Sequence, residues 1–455
     1  MHDRATLLRK DSLWDRMKLV SADNGLVERE LTAAGGDLAL HAISLAAVTT
    51  SPGKAGGDRA TPSAGAIYPY EFYVVLADAV FAVDPVRRLC HRIGAHERLI
   101  ELRCRQAGVP PPPMDGALVV LVTRPWLSMR KYGDRGYLYT QLDAAHVAVN
   151  ALGVAGPRAE LRLRFAPKPL EGLLGIAGRC REVHSVLHLR PEGGVTGPAG
   201  WTVHHSRPAD TAPGTEDPSW LELVCWQSLM PLPPTGQEPA PRVEPEPLTS
   251  FGDRFGPPPE LAPRWAGLSG RRTSAKRYVP AAVPGPVLDR TLAAAGLALR
   301  TDLSRDSELG VTLVARSVTG MAPGVYRPDG GDGPGRGEPP SGEEIVRACM
   351  HQAHLRDAAA FVVFHAPRAD LAADRSAHLR ELLFRAGGIA QLLYLGATDA
   401  GLGVTAVGGF DAALWRAIAK LPEGQDPAYV MSFGADGPGG VKLDRLPAAY
   451  AQNER

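Results

Sequence analysis

Residues 117–126 read ALVVLVTRPW and residues 137–156 read YLYTQLDAAHVAVNALGVAG, a run typical of a buried strand followed by a helical pattern. The same order recurs downstream, where AAFVVFHAP (359–367) precedes LRELLFRAGGIAQLLYLGATDAG (379–401). A charged stretch separates strand from helix in both places. The chain is therefore predicted to contain two copies of one strand-and-helix unit.

The two copies also align in detail. Ala144 corresponds to Ala386 at an offset of 242 residues, and the same offset aligns a second pair of alanines one turn later. Upstream, EFYVVLADAVFAV (71–83) pairs with LGVTLVARSVTG (309–320), and both are rich in β-branched residues typical of strands. The predicted fold class is α+β, with two tandem domains.

A proline-rich segment separates the two copies. Residues 231–263 read PLPPTGQEPAPRVEPEPLTSFGDRFGPPPELAP, in which prolines are too dense for a helix or a central strand. We predict an N-terminal domain over residues 1–230, a semi-rigid linker over 231–264 and a C-terminal domain over 265–455. Residues 328–344, PDGGDGPGRGEPPSGEE, are predicted to form a surface loop.

Composition excludes several classes of protein. Hydrophobic residues make up 44% of the 455 residues and charged residues 22%, which is typical of globular domains and not of disordered chains. Lys and Arg number 50 against 49 Asp and Glu, and a dedicated nucleic-acid or anionic-membrane binder needs a larger basic surplus. No nucleic-acid or membrane partner is therefore expected.

Cysteine spacing and the N-terminal residues narrow the remaining classes. The five cysteines are far apart and form no CxxC pair, which argues against a zinc ribbon, a redox motif or a disulfide framework. We predict no metal site. Because the first 18 residues are charged throughout and no run of about 18 apolar residues occurs, we expect a soluble, cytoplasmic protein.

Three short segments have compositions suited to binding a ligand. Residues 271–278, RRTSAKRY, combine cations and hydroxyls that could satisfy a phosphate, although a solvated basic turn has the same composition. Residues 401–411, GLGVTAVGGFD, would let backbone N–H groups approach a flat ligand, and an ordinary helix-to-strand turn is the alternative. Residues 61–71, TPSAGAIYPYE, could form a rigid loop beside a ring system or a simple connection into a strand.

A fourth segment, KYGDRGY (131–137), lies between a buried strand and the helix predicted over 138–155. Lys131 and Tyr132 at the edge of a pocket could relay a proton. A Lys-Tyr dipeptide by itself is far more often structural.

Together the segments resemble the FMN-dependent nitroreductase superfamily, and within it the SagB-type azoline dehydrogenases of peptide natural-product biosynthesis. The first copy is similar to that branch in TPSAGAIYPYEFYVV (61–75) and KYGDRGYLYTQLDAAHVAVN (131–150), and the second is similar to the wider superfamily in RRTSAKRY (271–278), in the segment 386–411 and in KLDRLP (442–447). The resemblance spans most of residues 30–230 and 265–447.

This resemblance implies a fold, a cofactor and a set of site residues. In the superfamily two α+β subunits pair and FMN lies at their interface, so the tandem copies are expected to form an intramolecular pseudo-dimer, with further homo-oligomers left open. The matching cofactor-binding positions are Pro62, Ser63, Ala64, Gly65, Arg272, Thr273, Ser274, Lys276, Gly408, Gly409, Lys442 and Arg445. The matching catalytic positions are Lys131 and Tyr132.

Each motif survives in only one copy. The first copy keeps PSAG (62–65), whereas the second has SRDS (304–307) at that position. The second copy keeps the Arg-Ser segment and the Gly-rich turn, whereas the first has RELTA (29–33) and AELRLRFAPK (159–168) in their places. Because the losses are complementary, the resemblance implies one FMN per chain.

The implied activity is oxidation of thiazolines or oxazolines in a modified peptide to thiazoles or oxazoles. A peptide substrate implies a partner, a cyclodehydratase that makes the azoline. Two rivals stay open, an NAD(P)H-dependent nitro or quinone reductase and a degenerate scaffold that binds a peptide or partner without chemistry. NADPH bleaching of the flavin without peptide would identify the first rival, and absence of flavin the second.

Overall fold

A computed structural model describes residues 29–30, 52–54, 58–84, 89–93, 96–113, 116–177, 180–190, 202–204, 243–303, 309–327, 338–372 and 377–438. These residues form two compact units. The first contains the described residues up to Glu244 together with Arg300–Leu303, and the second contains those of Pro245–Leu299 and of 309–438. None of the described helices combines the length and the hydropathy needed to cross a membrane.

The described residues of the first unit form ten strands and four helices. In chain order they are β1 (Arg29–Glu30), β2 (Pro52–Lys54), β3 (Asp58–Arg59), β4 (Tyr70–Val75), β5 (Val80–Asp84), β6 (Leu89–Ile93), α1 (Glu97–Ala107), β7 (Ala117–Thr123), α2 (Pro125–Tyr132), α3 (Arg135–Ala155), β8 (Ala159–Arg162), α4 (Pro167–Leu174), β9 (Glu182–Leu189) and β10 (Thr202–His204). Eight of the strands form one sheet in the order β1-β10-β6-β5-β4-β7-β9-β8.

The second unit is built on a smaller sheet. Its elements are β11 (Pro245–Pro247), α5 (Trp265–Arg271), β12 (Val283–Pro284), α6 (Gly285–Ala293), β13 (Ala298–Arg300), β14 (Gly310–Ala315), β15 (Val318–Thr319), β16 (Gly324–Tyr326), α7 (Gly342–Ala348), β17 (Ala360–Pro367), α8 (Arg368–Ala372), α9 (Ala377–Ala400), β18 (Gly403–Val407), α10 (Ala412–Ile418) and β19 (Gln425–Gly434). Five strands pair in the order β16-β14-β17-β19-β18.

The two units share one topology. The order β5-β4-β7-β9-β8 in the first sheet equals β16-β14-β17-β19-β18 in the second, and every neighbouring pair is antiparallel in both. The long helices also correspond along the chain. Helix α3 lies between β7 and β8, and helix α9 lies between the equivalent strands β17 and β18. The predicted α+β class and the tandem duplication are therefore confirmed at the level of topology.

Burial of both sheet faces explains the apolar runs. In β7 every residue is buried, and Leu118, Val120 and Val122 belong to a core with Ile100 of α1 and Leu170 of α4. A strand that is covered on both faces shows a continuous hydrophobic run and not an alternating one. Helices α3 and α9 are buried along most of their length, which makes each a core helix.

Several predicted boundaries shift in the structure. The strand-like run 71–83 is a hairpin of β4 and β5, because Asp78 is exposed in a turn that interrupts the apolar pattern. The end of the predicted loop 328–344 begins helix α7, where Ser341 and Glu344 form a reciprocal capping box. The first ten residues of that loop lie outside the described residues.

Part of the segment assigned to the linker packs within the second unit. The division between the units falls at Glu244, and Leu248, Phe251 and Leu261 are buried. Arg385 of α9 donates a hydrogen bond to the backbone carbonyl of Leu248 at 2.8 Å. Apolar side chains between the prolines therefore anchor the described part of this segment, and residues 231–242 lie outside the described residues.

Candidate active site

The Pro-Ser loop (residues 62–65) of the first unit has an unusual backbone. It leads through a 3-10 turn, Ala64–Ala66, toward β4, and Gly65, Ala66 and Tyr68 all have positive φ angles, of 59°, 57° and 52°. Glycine adopts this left-handed region freely, whereas other residues lose about 1–2 kcal/mol there. The conformation must therefore be held by contacts from elsewhere in the unit.

Lys131 and Tyr132 lie directly against this loop. Both are at the C-terminal end of α2, a short helix between the buried strand β7 and helix α3. A Cβ atom placed on Gly65 would overlap with Lys131 Nζ and Tyr132 Oη and would lie 3.2 Å from Lys131 Cε. The structure thus brings together two motifs that are 66 residues apart in sequence, and it explains why position 65 is glycine.

The ring of Tyr132 is fixed on two sides. It meets Tyr139 of α3 edge to face, with ring centroids 5.0 Å apart. It also packs on a small buried cluster that includes Ile67 and Trp126. Lys131 Nζ lies 5.0 Å from the centroid of the Tyr132 ring, and both side chains are half-buried. The amine and the hydroxyl are therefore held beside each other at a surface that solvent reaches in part.

Sequence reasoning missed Asp143, which lies behind the loop on α3. Ser63 Oγ donates to Asp143 Oδ2 at 2.5 Å, and the Ala64 N–H donates to both carboxylate oxygens at 3.2 Å. Burial raises the pKa of Asp143 to about 7, against the lowering effect of the hydrogen bonds from Ser63 and Ala64. In the sequence, the available signal was a single carboxylate within the helical pattern 137–156. The structure shows that residues 139–152 of this helix are all buried.

In the second unit the Arg-Ser segment (residues 271–278) forms a compact polar group. Arg272 follows the last turn of α5 and is only 7% exposed, so its guanidinium is not part of a solvated turn. Arg272 Nη1 donates to Ser274 Oγ at 3.3 Å, and Ser274 Oγ shares a hydrogen bond of 2.9 Å with Tyr394 Oη. Tyr394, on the buried face of α9, was also missed by sequence reasoning.

The same segment lies along the strand that leads to the Gly-rich turn (residues 408–409). The Ala275 N–H donates to the Val404 carbonyl and the Ala406 N–H donates to Tyr394 Oη, both at 2.8 Å. Strand β18 ends at Val407, and the next residues are Gly408 and Gly409. The Gly409 carbonyl accepts a hydrogen bond from Gln352 Nε2 at 2.8 Å.

The other predicted site residues divide into two groups. Thr273 and Lys276 are exposed on the Arg-Ser segment. Lys442 and Arg445 lie outside the described residues, as does the SRDS segment of the second copy.

Comparisons with known proteins agree with the topology. The Nitroreductase family model matches residues 333–435. A nitroreductase candidate from Methanocaldococcus jannaschii is 30% identical over 105 residues, which are 21% of this chain and 50% of that protein, so the chain spans about half the length of this curated relative. The crystal structure of a nitroreductase candidate from Anabaena variabilis covers 90% of each chain at 18% identity, with a TM-score of 0.64. The chain therefore has a nitroreductase-like fold, and residues 333–435 of its second unit are similar in sequence to the nitroreductase family.

Proposed function

We propose that this protein is an FMN-dependent azoline dehydrogenase, which oxidises thiazoline or oxazoline rings of a modified peptide to thiazoles or oxazoles. One observation carries the proposal. The Lys131 amine and the Tyr132 hydroxyl, which resemble the catalytic pair of SagB-type enzymes, lie against Gly65 of the loop that resembles a flavin-binding loop. A proton acceptor beside a flavin is what azoline oxidation requires.

The reaction removes one proton and one hydride from the ring and leaves it aromatic. FMN, when bound, supplies the hydride acceptor. Lys131 in its neutral form would accept the ring proton at Nζ, and Tyr132 Oη beside it would orient the amine toward the substrate. Because α2 and α3 fix the ring of Tyr132 by packing, the pair is pre-organised before a substrate arrives.

The residues of the Arg-Ser segment fit the phosphate of FMN. A buried guanidinium and a hydroxyl, Arg272 and Ser274, are hydrogen-bonded to each other in the second unit. Thr273 and Lys276 add exposed donors on the same eight residues. Charge-assisted donors of this kind suit phosphate oxygens, and we expect the backbone N–H groups of Gly408 and Gly409 to approach the flat ligand.

A peptide substrate implies further partners. We propose that a cyclodehydratase supplies the azoline-containing peptide, because the ring must be formed before it can be oxidised. The reaction class upstream is thus a cyclisation with loss of water.

The purified chain is expected to contain one FMN per chain. The four cofactor motifs, which are PSAG (62–65), RRTSAKRY (271–278), the Gly-rich turn (408–409) and KLDRLP (442–447), each occur once along the sequence. The measurement is the absorbance of flavin released by denaturation, divided by the protein concentration. A ratio near two would contradict the single site. A chain that binds no added FMN would favour the non-catalytic scaffold.

Arg272→Ala is expected to weaken FMN binding about ten-fold or more, because charge-assisted hydrogen bonds contribute about 1.5–3 kcal/mol each. The neighbouring Arg271 is exposed and provides the matched control, so Arg271→Ala should change the affinity by less than about two-fold. Fluorescence titration of the apoprotein with FMN measures both. Equal affinities for the two variants would show that Arg272 does not bind the phosphate of FMN.

A second function, NAD(P)H-dependent reduction of nitro compounds or quinones, is favoured by the family match over residues 333–435. The two functions differ in what reduces the flavin. If NADPH bleaches the bound flavin rapidly without peptide, the reductase is favoured. If only a thiazoline-containing peptide bleaches it, the dehydrogenase is favoured.

A further inference from the structure

We infer that Asp143 is a positioning residue, which holds the Pro-Ser loop in its left-handed conformation and so keeps the Gly65 backbone against Lys131 and Tyr132. The catalytic meaning of that placement rests on the proposed function, whereas the placement itself does not.

Asp143 is hydrogen-bonded to two residues of the loop and is linked to a third residue through Ser63. Its carboxylate accepts the Ser63 hydroxyl at 2.5 Å and the Ala64 N–H at 3.2 Å. Ser63 Oγ in turn accepts the N–H of Tyr68 at 2.8 Å. One side chain of α3 is therefore linked directly to the start of the loop and, through Ser63, to Tyr68, which lies two residues before β4.

The loop needs such support because of its backbone. Ala66 and Tyr68 have positive φ angles without being glycine. Gly65 lies between Ala66 and the anchored residues Ser63 and Ala64. Strained conformations persist only where the surroundings over-determine them. Asp143 is 4% exposed on a buried face of α3, so the anchor is itself held rigidly.

The duplication supplies an independent comparison within the same chain. The offset that pairs Ala144 with Ala386 pairs Asp143 with Arg385. Arg385 donates a hydrogen bond to the backbone carbonyl of Leu248 at 2.8 Å. The helix position is acidic in the copy that keeps PSAG and basic in the copy that has lost it, as expected if the acid serves the loop.

Asp143→Ala tests the inference in the full chain without added flavin. Hydrogen exchange of peptides covering 61–70 is expected to accelerate about ten-fold or more relative to exchange in β7, which reports the stability of the whole unit. Acetylation of Lys131 by acetic anhydride should accelerate several-fold relative to Lys168, which is exposed on α4, because Gly65 no longer covers the amine.

Two further variants sharpen the test. Asp143→Asn keeps an acceptor for the Ala64 N–H and a donor for Ser63 Oγ, so exchange of 61–70 should stay within about three-fold of the parent. Ser63→Ala removes only the hydroxyl link and should loosen Tyr68 more than Ala64. These substitutions remain informative if Asp143→Ala fails to fold.

Asp302 provides a matched control. It is a buried acid of the same unit that accepts the N–H groups of Leu163 and Arg164 at 2.7 and 3.2 Å. Asp302→Ala should accelerate exchange around residues 163–164 and leave 61–70 unchanged.

Parent-like exchange of 61–70 in both Asp143→Ala and Ser63→Ala would overturn the inference. So would a uniform acceleration that includes β7, since this would make Asp143 an ordinary stabilising residue. If the loop loosens as expected but FMN affinity and azoline turnover stay unchanged, the positioning role stands and the proposed function of this loop fails.

Discussion

Lys131→Ala is expected to lower the rate of azoline oxidation about a hundred-fold or more while the chain still binds FMN. Removal of a general base costs about 10²–10⁴ in rate. The phosphate-binding candidates Arg272 and Ser274 lie in the other unit and are unchanged by the substitution. The measurement is turnover of a synthetic peptide with one thiazoline, together with flavin occupancy of the same preparation.

Tyr132→Phe separates the hydroxyl from the ring. Phenylalanine keeps the edge-to-face contact with Tyr139 and the packing near Ile67 and Trp126, so folding should be unaffected. Turnover should nevertheless fall, because Tyr132 Oη is one of the two groups at Gly65. Lys168→Ala, an exposed lysine of α4, is the matched control and should turn over like the parent.

The pH dependence distinguishes a base from a structural lysine. An amine accepts a proton only in its neutral form, so the parent's turnover should rise with pH and Lys131→Ala should lose that limb. Retained FMN with parent-like turnover would contradict any role for Lys131. Loss of flavin in parallel with turnover would assign it to ordering the loop.

Sequence periodicity was sufficient for the core of each unit. The run 117–126 contains β7 and the start of α2, and the run 359–367 contains β17. The two helical patterns are α3 and α9 within two residues at either end. These elements are buried on all sides, so their apolar composition is the direct consequence of their position. The density of prolines in 243–264 led to the prediction of a linker there. In the structure, a few apolar residues between these prolines are sufficient to pack the segment within the second unit.

The site was only partly predictable. Lys131, Tyr132 and Gly65 were identified by resemblance, but their contact depends on how α2 approaches a loop 66 residues earlier, which no local pattern encodes. Asp143 was missed because a helix is predicted from the spacing of its apolar residues, and one acidic residue has little effect on that spacing. Its partner Ser63 lies 80 residues away.

We expect the difference in free energy of unfolding between Asp143→Asn and the parent to change in favour of the variant as pH rises from about 4 to 7. Burial raises the pKa of Asp143 to about 7, whereas an aspartate in the unfolded chain titrates near 3.9. Between these values the folded parent holds a proton that the unfolded parent has lost. The parent's free energy of unfolding therefore falls with rising pH, by up to about 4 kcal/mol over this window, and is flat above it. Asparagine has no such proton to lose and keeps the hydrogen bond from Ala64.

The comparison at each pH isolates this one group. Asp302, whose pKa burial raises to about 6, titrates in parent and variant alike and cancels from the difference. Tyr70 of β4 faces the loop, but burial raises its pKa to about 12, so it stays protonated throughout. The slowest-exchanging amides of β7 report the free energy of unfolding of the first unit. Asp302→Asn should show the same sign of change, ending near pH 6. A difference between Asp143→Asn and the parent that is flat from pH 4 to 7, or that falls, would show that the carboxyl of Asp143 ionises as it does in water.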